Sequence, residues 1–121
     1  MLKNILIIDD SSSVRSVVGI TLRNAGYDVI EACDGKDALA KLTGQKVHLV
    51  LSDVNMPNMD GITFVKEFKK LPAYRFTPVC MLTTEAERTK MDEGKAAGAK
   101  AWIVKPFQPP KLLDVVSKLI A

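Results

Sequence analysis

Five short apolar runs recur along the chain, at residues 5–8, 29–30, 47–51, 79–82 and 101–104. Each is shorter than a helix needs and nearly free of polar interruption, which is the pattern of a strand covered on both faces. The intervening segments switch to helical spacing. After Ser11, Ser12 and Ser13, which can supply an N-cap, Val14, Val17, Val18, Thr21, Leu22 and Ala25 repeat on one helix face until Gly26 closes the element. Residues 36–42, 62–71 (with Phe64, Val65 and Phe68 inward), a weaker stretch 87–97 and residues 110–120 supply four more helices. Five strands alternating with five helices predict a doubly wound α/β fold. Parallel neighbours need crossover connections, and the helices then cover both faces of the sheet.

The 121 residues suffice for one core and leave no room for a second module. Apolar residues at 47% and charged residues at 26% are a globular balance, and a net charge of +3 with Lys and Arg spread along the chain argues against nucleic-acid binding. The opening apolar run is too short for a signal peptide or a membrane span, so a cytoplasmic monomer without membrane insertion is expected. Cys33 and Cys80 lack ligand or redox spacing and are expected as two reduced, partly buried thiols. His48 is the only histidine, which excludes multi-histidine metal sites and leaves it a structural role at a strand start.

One run ends strangely. LVLSDVNMPNMDG carries a nearly continuous apolar strand straight into the carboxylate of Asp53. In a doubly wound sheet, sites form beyond the C-terminal strand ends where the winding reverses. The residues at those ends are Asp9 and Asp10, Asp53, Thr83 and Thr84, and Lys105. Singly they are ordinary: paired acids favour a helix N-terminus, and a strand-end threonine or a solvated lysine is common. Together, three acids against one lysine call for a raised pKa or a bound cation, and an all-oxygen site with room for water suits Mg²⁺. A carboxylate with a metal, an ammonium and a hydroxyl around it is equipped to receive a phosphoryl group on Asp53.

The segments IIDDSSSVR, LSDVNMPNMDG, MLTT and WIVKPF resemble, in order and spacing over essentially the whole chain, the receiver domain of bacterial two-component response regulators. Within that family the chain is most similar to single-domain chemotaxis regulators of the CheY type. The resemblance implies one receiver domain over residues 1–121, a flavodoxin-like strand order 2-1-3-4-5, and a phosphoacceptor protein, not a conventional enzyme. Asp53 would take the phosphoryl group from a histidine kinase. Asp10, Asp53 and the carbonyl of Asn55 would hold Mg²⁺, with Asp9 acting largely through water; Thr83 and Lys105 would bind phosphoryl oxygens. A cis peptide would precede Pro106. Thr83 and Trp102 would form the switch, and the face built from helix 4, strand 5 and helix 5 would bind a downstream target such as a flagellar motor switch protein.

Two residues depart from the family pattern: tryptophan at position 102 replaces the usual tyrosine or phenylalanine, and Thr84 stands where small residues are frequent. Rival functions fare worse on the residues. A flavin mononucleotide carrier needs a glycine- and hydroxyl-rich cradle after the first strand, where Asp9 and Asp10 would repel a phosphate. A phosphate-ester hydrolase wants an acid two residues beyond the nucleophile, where this chain has Asn55. A phosphorelay intermediate, a phosphate sink or a receiver-fold module that binds without phosphorylation remain as alternatives.

Overall fold

The computed structural model describes residues 2–120. In chain order the elements are β1 (Asn4–Ile8), α1 (Ser12–Asn24), β2 (Asp28–Ala32), α2 (Gly35–Lys41), β3 (Leu49–Asp53) and α3 (Gly61–Lys70). A short 3₁₀ turn (Pro72–Tyr74) leads to β4 (Val79–Thr83), and a second (Glu85–Lys90) runs into α4 (Met91–Ala97), followed by β5 (Ala101–Val104) and α5 (Pro109–Ile120). All strand pairs are parallel and the order is β2-β1-β3-β4-β5, the doubly wound, flavodoxin-like arrangement expected. No described helix is long and apolar enough to cross a membrane.

Alternation along the strands divides the core in two. Leu6, Ile8, Val50 and Met81 face Phe64, Val65 and Phe68 of α3. Ile5, Ile7, Leu49, Leu51 and Leu82 face Val18 and Leu22 of α1 and Leu112 and Val116 of α5. Phe68 is stacked between Phe64 and Tyr74, with ring centroids 5.3 and 5.0 Å away. Leu49, Val50 and Leu51 are fully buried, each worth about 1.5–3 kcal/mol of apolar transfer. That gain offsets the cost of carrying a carboxylate at the same strand's end.

Local chemistry sets the boundaries. Ser11 caps α1, its Oγ accepting from the Val14 N–H at 3.3 Å, and Gly26 (φ 95°) turns the chain after the helix. His48 does hold a strand start: its Nδ1 accepts from the Asn4 N–H at 2.9 Å, while its own N–H donates to the Asn4 carbonyl. This clamp delays β3 until Leu49, and the strand extends through Asp53, which pairs with Leu82 of β4. The weak helix expected at 87–97 is two elements. The Thr84 N–H donates to Glu87 Oε1 at 2.8 Å, starting a 3₁₀ turn at Glu85 before α-geometry sets in at Met91. The cysteines also differ from expectation. Cys33 is exposed, whereas Cys80 is fully buried, which pushes its thiol pKa up to about 12.

Candidate functional site

The C-terminal ends of β1, β3 and β5 bring Asp9, Asp53 and Lys105 together. Lys105 Nζ lies 3.0 Å from Asp9 Oδ2 and 3.2 Å from Asp53 Oδ1. The Val54 N–H donates to Asp53 Oδ1 at 2.9 Å, and the Ser11 N–H donates to Asp9 Oδ1, also at 2.9 Å. Asp9 therefore steadies the entry to α1 and faces the site at once. Asp10, exposed on the same turn, offers an oxygen that lies within 4.8 Å of oxygens from both Asp9 and Asp53.

Charge is not balanced there. Asp9 is 1% exposed and Asp53 7%, and a single ammonium reaches them. Burial raises the Asp53 pKa to about 6; the charge of Lys105 opposes the shift and that of Asp9 adds to it. For Lys105, burial acts to lower the pKa, but the hydrogen bond to Asp9 and the charges of Asp53 and Asp9 outweigh it and the net shift is upward. The ammonium is thus locked in its charged form, while Asp53 sits well above the ordinary carboxylate range. Three convergent carboxylates with one countercharge form an oxygen-only donor set with surplus negative charge. These residues fit a hard divalent cation.

The other residues at this edge surround the pair. The Lys105–Pro106 peptide is cis. Thr83, at the last position of β4, is fully buried and its Oγ1 has no hydrogen-bond partner. Trp102 Nε1 is the other buried side-chain N or O atom without a partner among the described residues. A buried polar atom left unpaired costs about 1–3 kcal/mol, so two of them in one region mark a place where stability has yielded to another requirement. Asn55 does not turn its amide oxygen to the acids; Oδ1 accepts from Lys90 Nζ at 2.8 Å. Beyond it, the Gly61 N–H donates to the Val54 carbonyl at 2.8 Å and Asp60 caps α3 through the Thr63 N–H, closing the loop under Asp53.

Gly94 escaped the sequence reading, although a lone glycine inside a helical pattern signals a close approach. A Cβ at this position would lie 2.2 Å from Trp102 Cη2 and 2.9 Å from Cζ2, so the benzo edge of the indole rests in a notch that only glycine leaves open. In an ordinary helix interior Gly→Ala stabilises by roughly 0.5–1 kcal/mol. Here Gly94→Ala is expected to lower Tm and shift the emission of Trp102, the sole tryptophan, to the red as the ring is displaced. Adding Trp102→Phe should remove the collision and return Tm to at least the value of Trp102→Phe alone.

The site thus joins an aspartate on the third strand of a 2-1-3-4-5 sheet to paired acids after the first strand and a lysine after the fifth. The model of the response regulator receiver domain matches residues 5–117, and the chain belongs to that family. It is 35% identical to the chemotaxis protein CheY of Thermotoga maritima over 118 residues, 97% of each chain. It is 38% identical to the chemotaxis protein CheY-3 of Vibrio cholerae over 116 residues, covering 95% of this chain and 89% of the other. Among solved structures, V. cholerae chemotaxis protein CheY4 superposes with a TM-score of 0.94 at 46% identity, covering 98% of this chain and 99% of that one.

Proposed function

We propose that this chain is a phosphorylation-activated switch of a two-component system, acting as one receiver domain over residues 1–121. In this reading Asp53 accepts a phosphoryl group from the phosphohistidine of a histidine kinase, and the phosphorylated form binds a downstream protein more tightly. The observation that carries the proposal is the buried Asp53 carboxylate, 3.2 Å from Lys105 and grouped with Asp9 and Asp10. The similarity to CheY proteins supports a chemotaxis pathway in particular.

The chemistry follows from what each side chain is free to do. Asp53 Oδ1 is engaged by the Val54 N–H and Lys105, which leaves Oδ2 as the attacking oxygen. An O–P bond forms to Asp53 as the P–N bond of phosphohistidine breaks, and the imidazole leaves with its electron pair. Asp10, Asp53 and the Asn55 carbonyl would hold Mg²⁺, with Asp9 acting through water. Bound there, Mg²⁺ supplies positive charge to the transferring phosphoryl oxygens. Lys105 keeps its proton and pairs with the product anion. The unpartnered Thr83 hydroxyl supplies a donor that the resting protein leaves unused.

Moving a switch from mostly off to mostly on requires about 5.5 kcal/mol of differential stabilisation. Charge-assisted hydrogen bonds at about 1.5–3 kcal/mol each, from Lys105 and Thr83 to the phosphoryl group, supply most of that and the cation supplies more. Movement of Thr83 toward the phosphate would open space beside Trp102 and repack the face formed by α4, β5 and α5, where the target would bind. The hydrolase alternative gains nothing from the geometry, because the position two residues beyond Asp53 is an amide already bonded to Lys90.

Intact-mass measurement tests the proposal. Incubated with acetyl phosphate and Mg²⁺, the protein should gain the mass of one phosphoryl group, and chelating the metal should suppress the gain. Asp53→Asn should gain none. Unchanged mass with every phosphodonor, or equal phosphorylation of Asp53→Asn, would sink it.

A further inference from the structure

Neither the phosphoryl chemistry nor the switch uses Arg15, the residue that closes the first motif. Its side chain lies on α1 and is 20% exposed, stretched between the site and the sheet edge. Nη1 donates to the Asp9 carbonyl at 2.6 Å. On the other side, Nε is 3.7 Å from Oε1 of Glu31, whose second oxygen takes Arg23 Nη2 at 3.2 Å. Glu31 belongs to β2 and sits in register beside Ile7 of β1, so its carboxylate is anchored to the same strand pair that ends at Asp9.

We propose that Arg15 is a positioning residue for the cation, pinning the β1–α1 turn so that Asp9 and Asp10 aim their carboxylates at one point. The proposal rests on the reading that this acidic cluster binds Mg²⁺. The need for such a pin lies with Asp10. Asp9 is held at both carboxylate oxygens, by Ser11 and by Lys105, whereas the Asp10 side chain makes no hydrogen bond among the described residues. Where Asp10 points is decided by the backbone, and the Asp9 carbonyl belongs to the peptide unit that joins the two residues. A guanidinium that is mostly buried, donates to the Asp9 carbonyl and is drawn to Glu31 by an ion pair at 3.7 Å holds that peptide better than a solvated side chain would. Partners that orient metal ligands without touching the metal commonly matter this much to affinity.

A positioning role and a purely electrostatic one predict opposite signs. Arg15 is a cation beside three acids, so by Coulomb's law alone its removal should tighten Mg²⁺ binding. If it positions the turn, removal should weaken binding. Calorimetric Mg²⁺ titration of the full chain at pH 7.5 separates the two. Arg15→Met is expected to raise the Mg²⁺ Kd about tenfold, with Arg15→Lys, which keeps the charge and one donor, falling between it and the wild type. Circular dichroism and Tm are read alongside; should Arg15→Met fail to fold, Arg15→Lys carries the test by itself. A Kd equal to or tighter than wild type in folded variants, including a fall in Tm with Kd unchanged, overturns the proposal. Failure of the wild-type protein to take up Mg²⁺ overturns the underlying functional reading instead.

Discussion

Gly61→Ala is expected to lose about 3 kcal/mol of stability or more, a fall in Tm on the order of 10 °C, even though alanine is the better helix former. A Cβ on Gly61 would stand 2.0 Å from the carbonyl oxygen of Asp53, with Met81 Cε at 2.8 Å and Ser52 Oγ at 3.0 Å behind it. The obstacle is backbone at the end of a fully buried strand, so relief requires moving β3 or the start of α3. Either movement displaces the carboxylate that the proposed chemistry depends on. Gly35 gives the contrast. Its nearest neighbours are Met59 Cγ and Sδ at 2.6 and 2.8 Å, which a rotamer change can move, and Met59 Cβ at 2.9 Å, which moves only with its backbone, so Gly35→Ala should cost about 1–2 kcal/mol, less than Gly61→Ala. Thermal melts of the two variants check both statements. Near-equal losses would mean that the backbone approach at Gly61 is softer than its geometry implies.

Asp53→Asn is expected to stabilise the metal-free protein at pH 7 by on the order of 2 kcal/mol and to flatten its stability between pH 4 and 6. The sign follows from linkage. Burial, with the Asp9 charge adding to it, raises the Asp53 pKa to about 6, above the ordinary carboxylate value near 3.9 of an unfolded chain. Between those values the folded protein holds a proton that the unfolded chain has released. Stability is therefore greatest, on account of this group, below about pH 4, falls as pH rises to about 6 and is level above that. An amide removes the titration and the surplus negative charge together. Urea denaturation of both proteins in a chelating buffer at pH 4.5 and 7 measures the effect, the difference between them cancelling the titrating groups remote from Asp53. If Asp53→Asn is no more stable at pH 7 than at pH 4.5 relative to wild type, the raised pKa is wrong. Adding Mg²⁺ should stabilise the wild type by mass action and Asp53→Asn far less, because one ligand is missing.

Much of the molecule is legible in its sequence. Runs of two to five mostly apolar residues alternating with amphipathic stretches admit few architectures other than a parallel sheet with helices on both faces, because strands covered on both sides cannot alternate in polarity. The same logic placed Asp9, Asp10, Asp53, Thr83 and Lys105 at one edge. Each lies within two residues of the end of an apolar run, and parallel strands deliver all such ends to the same side. Boundaries were less legible. The paired hydrogen bonds between Asn4 and His48, and the contact between Thr84 and Glu87, shift an element by one or two residues without changing the hydrophobic pattern.

What the chain determined by itself was therefore order: which segments are strands, which ends carry acids, and which lysine lies opposite them. Tertiary structure decided distance and environment. That Asp53 is buried enough to hold its proton near pH 6, that Gly61 has no room for a methyl group, that Gly94 receives an indole and that Arg15 reaches the Asp9 carbonyl all depend on approaches of a few ångströms between elements far apart in sequence. Periodicity is a local property and survives in one dimension. Close contact is a property of packing, which appears only when two sheet faces are filled at once.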